Sequence, residues 1–245
     1  MQEAYAAGVT QELERPVAGA ASTQSLFVPL TEQLANVRRW NEDLEWGFSE
    51  ADFDAIDLTE SHHSQPLVAD VIVPYLDDIY LGDDEDFMDG VRHTCDELWS
   101  LAAAQQAYAW CFDWLWAEYD GRRKPVRLLP GIEHRPGIRR VAVDLGAHWR
   151  PSRHIRPGQI RGVNSAHAEV LAAAAHFPQW AAAMDGKRVP FVWISGYQVT
   201  WPPQPESVQS RLLSLAFVRY RHSLSLTVDW AEHSHQGFAS PVVLP

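Results

Sequence analysis

Two short patterns in the second half of the chain combine residue types and spacings that do chemistry. His167 and Glu169 flank a single alanine where a helix is expected to begin. An imidazole and a carboxylate so placed supply a proton acceptor and a charge to support it, the elements of general acid–base catalysis. The second pattern is Glu232-His233-Ser234-His235. On a strand, alternation turns His233 and His235 to one face, as two metal ligands require, and His222 or Asp229 can supply a third. Arg150, Arg153 and Arg156, in the loop RPSRHIRPGQIRG, are candidate anion binders. Each pattern has an ordinary counterpart. Glu169 also complements a helix dipole, and paired histidines are common on solvated strand ends.

The triplet His167-Ala168-Glu169 at a helix start resembles that of the zinc-dependent nucleoside and nucleic-acid deaminases. The resemblance implies a zinc-binding histidine and a proton-shuttling glutamate. Those enzymes complete the zinc site with a later Pro-Cys-x-x-Cys, and no cysteine follows Cys111 here. The zinc and the two roles are therefore not carried over, and no cofactor is expected. Phosphate-binding and dinucleotide-binding glycine loops, Gly-x-Ser-x-Gly, His-Glu-x-x-His and Cys-x-x-Cys are absent. The acidic run Asp83–Asp89 lacks the sixth-position glycine and closing glutamate of a calcium loop. Cys95 and Cys111 sit beside Asp96 and Asp113, which disfavours a reactive thiolate.

The elements that must position these residues divide the chain. Residues 1–28 read as an arm, 29–120 as a helical region and 121–245 as a strand-rich region packed with it into one domain. The expected class is α+β: a helical N-terminal half around a long Trp-rich central helix, then a mixed, mainly antiparallel sheet with one or two helices. The central helix is expected over Arg92–Tyr119, a stretch free of Gly and Pro, with Thr94 and Glu97 as its capping box. Thr31 is expected to cap the first helix, and Ser49 with Asp52 to form a capping box on the next. Leu67–Leu81, broken near Pro74, reads as helix. Strands are expected at Val126–Leu129, Arg139–Leu145, Val189–Trp201, Leu212–Arg219, Leu224–Trp230 and Phe238–Leu244. Asn164 or Ser165 is expected to cap an Ala-rich helix that Pro178 interrupts.

Charge is partitioned along the chain. Residues 41–90 carry 16 acids and no Lys or Arg, whereas residues 121–162 carry 11 basic residues and two acids. Three uses compete: solvated helix faces, complementary patches, and binding of phosphate or nucleic acid, which the net charge of −12 opposes. Eleven Trp residues imply large buried contacts or an interface, with Trp99, Trp110, Trp114 and Trp116 as candidates. The leading expectation is a structural or interaction protein with a protein partner or a second copy of itself. The alternatives are an enzyme with a site in the C-terminal half, metal-dependent and hydrolase-like, and anion or nucleic-acid binding through residues 122–161. No secretion signal or membrane span is read, so a cytoplasmic setting is expected. Arg outnumbers Lys 18 to 2, the composition of a GC-rich genome of the actinobacterial or phage kind.

Overall fold

A computed structural model describes residues 26–80, 87–111, 118–119, 122–123, 126–149, 154, 156–199, 211–218, 223–230 and 235–245. It combines helices with mixed and antiparallel sheets, an α+β fold. No helix among the described residues is long and apolar enough to cross a membrane. Residues 1–25 of the expected arm lie outside the described residues. Phe27 at its end packs edge-on against Phe177, with ring centroids 5.1 Å apart.

Helix α1, Leu30–Leu44, buries Leu30, Gln33, Leu34, Val37 and Trp40 at helical spacing. Pro29, not Thr31, is its N-cap, and Leu44 at its last position is exposed. Helix α2, Glu50–Asp54, opens on the expected Ser49–Asp52 capping box. Residues 67–80 of the expected Leu67–Leu81 helix are not helical. They contain strand β1, Val68–Tyr75, which pairs antiparallel with β8, Gly137–Asp144. The apolar run carries no helical period because both faces of β1 are buried. Two-residue strands β2, Ile79–Tyr80, and β3, Phe87–Met88, form a small hairpin.

The long central helix is also corrected. Helix α3 spans Gly90–Ala104 and is capped by Asp89, whose Oδ1 accepts from the Arg92 amide at 2.9 Å. Thr94 is no cap, because its hydroxyl accepts from the Leu76 amide. The chain turns at Gln105, and Ala109–Cys111 forms β4 alongside Leu224–Leu226. Aromatic residues suit strand positions, and a neighbouring strand overrides local helix propensity. Trp99 is buried in α3, while Trp114 and Trp116 lie outside the described residues.

The second half follows its alternation more closely. Strands β5, Glu118–Tyr119, and β6, Arg122–Arg123, pair with each other. Strand β7, Val126–Leu128, and β12, Phe238–Ala239, both pair with β9, Phe191–Val199. Beyond β9 the sheet continues through β10, Arg211–Val218, and β11, Ser223–Trp230, to β4. Strand β13, Val242–Val243, pairs with β8, so the last residues of the chain link the two larger sheets. Helix α4, Ala168–His176, and helix α5, Pro178–Ala183, are separated at Phe177 as Pro178 requires. His167 occupies the N-cap of α4, not Asn164 or Ser165. Every residue of α4 is buried. This alanine-rich helix, packed on α3 and β1, is the central one. Its small side chains let both neighbours approach closely.

Among the described residues one edge of β1 has no partner strand, and that edge is closed by side chains. The Gln33 amide donates to the Asp70 carbonyl at 3.0 Å and accepts from the Ile72 amide at 2.9 Å. His176 Nε2 donates to the Ile72 carbonyl at 2.9 Å. One strand step beyond Pro74, Thr94 Oγ1 accepts from the Leu76 amide at 2.8 Å and His134 Nε2 donates to the Leu76 carbonyl at 2.7 Å. Pro74, which has no amide to satisfy, stands between them on the same edge. A side chain at Gly90 would place its Cβ 2.4 Å from the Leu76 carbonyl, so α3 can start here only on glycine.

Two outcomes follow. Replacing Gln33 with Leu keeps the bulk but strands three backbone groups, the Val28 and Asp70 carbonyls and the Ile72 amide. Urea unfolding should show a loss of about 1–3 kcal/mol for each orphaned group, and an unchanged midpoint would contradict the edge closure. Burial pushes the His176 pKa down to about 4. The unfolded chain therefore takes up that proton first. The contribution of His176 to stability is complete above pH 6.5 and declines as pH falls toward 4. His176→Gln should flatten that part of the stability–pH curve.

Candidate functional site

Glu169 lies in the first turn of α4 and is 2% exposed. A carboxylate can be buried only if its oxygens are satisfied. Tyr75, the last residue of β1, donates its hydroxyl to Oε1 at 2.5 Å. The backbone amide of His167 donates to Oε2 at 2.6 Å, and the ring Nδ1 of His167 lies 3.0 Å from the same oxygen. Burial by itself raises the Glu169 pKa. The His167 imidazole and the hydrogen bonds from His167 and Tyr75 outweigh it and hold the pKa near 2. Burial and the adjacent carboxylate push the Tyr75 phenol far up, so it stays a donor.

His167 is itself 5% exposed. Its ring packs against Tyr75 and Tyr197, at centroid separations of 5.8 and 5.6 Å. Neither ring nitrogen makes an aligned hydrogen bond: Nδ1 is close to Glu169 but off line, and Nε2 has no partner among the described residues. In the neutral ring, the carboxylate beside Nδ1 favours the proton there and leaves Nε2 as the acceptor.

The loop before α4 is held in place by backbone contacts. Ala166 donates to the Pro241 carbonyl, Val243 to the Asn164 carbonyl, and Gly196 to the Ala166 carbonyl. A Cβ on Gly196 would fall 2.6 Å from the Ser165 oxygen and 2.7 Å from the Ala166 oxygen, so β9 passes under this loop only as glycine. Around that point the pairing of β9 with β10 shifts register. A bulge reverses the alternation of side chains. Trp193 therefore packs with Leu212 and Phe238, while Tyr197 joins the main core beside His167. Arg161 donates to the Ser195 and Tyr197 carbonyls on either side of Gly196.

His167 and Glu169 belong to the wall of a pocket of about 360 Å³. The other walls come from Tyr75, Arg139 and Val141, from the loop at Gly131–Glu133, from Val163–Ser165 and from Val243. Arg139 Cζ lies 5.1 Å from the Tyr75 ring centroid, and its Nη2 donates to the Arg135 carbonyl at 2.6 Å. A larger hollow of about 620 Å³ lies beside α1, β1 and the loop at His62–Pro66. Asp70 sits in its wall, 3.0 Å from Arg140 Nη2 and 3.3 Å from His63 Nε2. Arg140 also reaches Asp57, so the acidic and basic segments meet here.

The structure thus brings His167 and Glu169 together as their spacing suggested. It joins to them Tyr75, Tyr197, Arg139 and, through a ring contact with Tyr75, His134. His235 packs on Trp193 and Phe238, away from that pocket's walls. His222 and His233 lie outside the described residues, as do Arg150 and Arg153, and Arg156 is exposed. Among the described residues no group of three or more His, Cys, Asp or Glu is arranged to hold a metal ion.

Tyr75→Phe removes one of the donors that keep Glu169 ionised. Stability at neutral pH should fall by about 1–3 kcal/mol. The contribution of Glu169 is complete above pH 4.5 and is lost as pH falls toward 2 in the parent chain. In Tyr75→Phe that loss should be smaller and end at a higher pH, and because the chain starts less stable its acid-unfolding midpoint should rise; a midpoint that does not move would contradict the network.

The chain matches no protein-family model, no curated protein and no solved structure.

Proposed function

We propose that this protein is an enzyme acting on a small molecule, with His167 as the group that takes up and returns a proton. The observation that carries this reading is the His167 ring. It is buried beside an ionised carboxylate, in the wall of a pocket, and Nε2 makes no hydrogen bond among the described residues. A histidine serving only the core normally has at least one ring nitrogen bonded, as His176 has through Nε2, although its Nδ1 has no partner among the described residues, and His134 through the Leu76 carbonyl. The chemistry is that of an oriented imidazole. Nε2 is itself shielded from solvent, so the wall must open before a proton passes to it from a substrate or water; the Glu169 carboxylate then stabilises the imidazolium, and Tyr75 holds the carboxylate in place. Glu169 and Tyr75 are positioning residues. The metal-dependent version of this chemistry draws no support from the described residues.

The assay uses the purified full chain with p-nitrophenyl acetate and p-nitrophenyl phosphate as ester substrates. His167→Asn should lower turnover by about 10²–10⁴-fold, while His62→Asn, in an exposed loop, should not. Turnover that survives in a folded His167→Asn chain contradicts the reading.

A second reading, association with a partner or another copy of the chain, is favoured by the surface at β4. Trp110, 39% exposed, lies on β4, the outermost described strand of the six-stranded sheet, and Tyr108, 66% exposed, directly precedes it. Exposed aromatics next to a sheet edge suit strand addition. Light scattering should then show a mass above that of one chain that falls in Tyr108→Ser. A monomer at all concentrations with no partner in a pull-down contradicts it.

A further inference from the structure

We infer that the pocket beside His167 takes a small oxyanion, a carboxylate or a phosphate, and that Arg139 is the residue that binds it. The inference rests on the reading of that pocket as a substrate site and names the chemical class of its ligand.

Arg139 stands on the face of β8 that continues through Val141 to the buried Val143. Its neighbour Arg140 points to the opposite face and is consumed there by Asp57 and Asp70. Arg139 has no carboxylate partner among the described residues. Its guanidinium is aimed by two contacts, the face of Tyr75 and the Arg135 carbonyl. A guanidinium fixed by stacking and by one carbonyl has lost rotamer freedom yet keeps N–H donors for a ligand. A second guanidinium, that of Arg135, neutralises the one exposed acid on the rim, Glu133. Glu169 is taken up by Tyr75 and His167. The net result is a pocket wall with one unneutralised cation, in a chain whose overall charge is −12.

The same tyrosine ring touches both active groups. Arg139 Cζ is 5.1 Å from the Tyr75 centroid and the His167 ring is 5.8 Å from it. Arg139 and His167 line the same pocket, so a ligand paired with Arg139 occupies the space that His167 borders. The pocket, about 360 Å³, has room for a molecule of metabolite size. The residues at its mouth, Gly131, Val163 and Asn164, add no further charge.

The test uses the full chain with histidine ¹³Cε1 labels. Sodium acetate, inorganic phosphate and neutral acetamide are titrated at constant ionic strength while the His167 resonance is followed. A saturable shift with acetate or phosphate but not acetamide is expected, and the tighter of the two anions names the source. Arg139→Gln should weaken it about tenfold or more, and Arg139→Lys less. The inference is overturned if neither anion gives a saturable shift, if acetamide competes equally, or if folded Arg139→Gln binds as the parent does. Should Arg139→Gln fail to fold, the acetate–acetamide comparison on the parent chain decides. Anion binding that depends on Arg139, with turnover unaffected by His167→Asn, would remove the acid–base role and leave the oxyanion site standing.

Discussion

A buried strand edge must find partners for its backbone, and the architecture of this protein follows from how β1 does so. Its paired edge belongs to β8. Its other edge is deep in the protein, where an unmatched amide or carbonyl costs more than a hydrogen bond returns. The chain answers with Gln33 from α1, His176 from α4, Thr94 from α3 and His134 from the loop before β8. Each of these elements is fixed in depth and rotation by a bond to the same strand or to Leu76 just beyond its end. Side chains replace the missing strand, and Pro74 sits where no donor is needed.

The same strand ends at Tyr75, and Tyr75 reaches Glu169. The site is therefore built on the edge closure and not added beside it. If α4 slid along β1, His176 would leave Ile72 and Glu169 would leave Tyr75 together. This rigidity suits a group that must be held within a narrow geometry, as proton transfer demands. The basic segment takes part in the same way. Arg140 ties β8 to Asp57 in the acidic loop before β1 and to Asp70 in β1, and Arg161 holds the bulge of β9. One part of the charge partition, Arg140 with Asp57 and Asp70, thus meets inside the chain.

The legible part of the sequence was that governed by local pattern. Alternation marked β8, β9, β10 and β11, Pro178 marked the break between α4 and α5, and Ser49 with Asp52 marked the start of α2. Misreadings arose where tertiary contacts decided. β1 looked helical because burial on both faces erased its period, and α3 looked longer because no residue breaks it, although β11 draws Ala109–Cys111 into a sheet. The importance of α4 was hidden by its composition, since alanine carries little signal of burial. His167 and Glu169 stood out by spacing. Tyr75, 94 positions from Glu169, had no local mark, and neither did Arg139 or Tyr197. Tyr197 reaches the site only because a bulge turns β9 over, and a bulge does not announce itself in a hydrophobic pattern.

The account stands or falls on the state of the His167 ring, which ¹⁵N NMR of the folded chain at neutral pH reads directly. The neutral imidazole should carry its proton on Nδ1, facing Glu169, with Nε2 bare, and Glu169→Gln should disturb that preference while leaving His176 on its Nε2–H form. A His167 found protonated on Nε2 in the parent chain, or unaffected by Glu169→Gln, would contradict it.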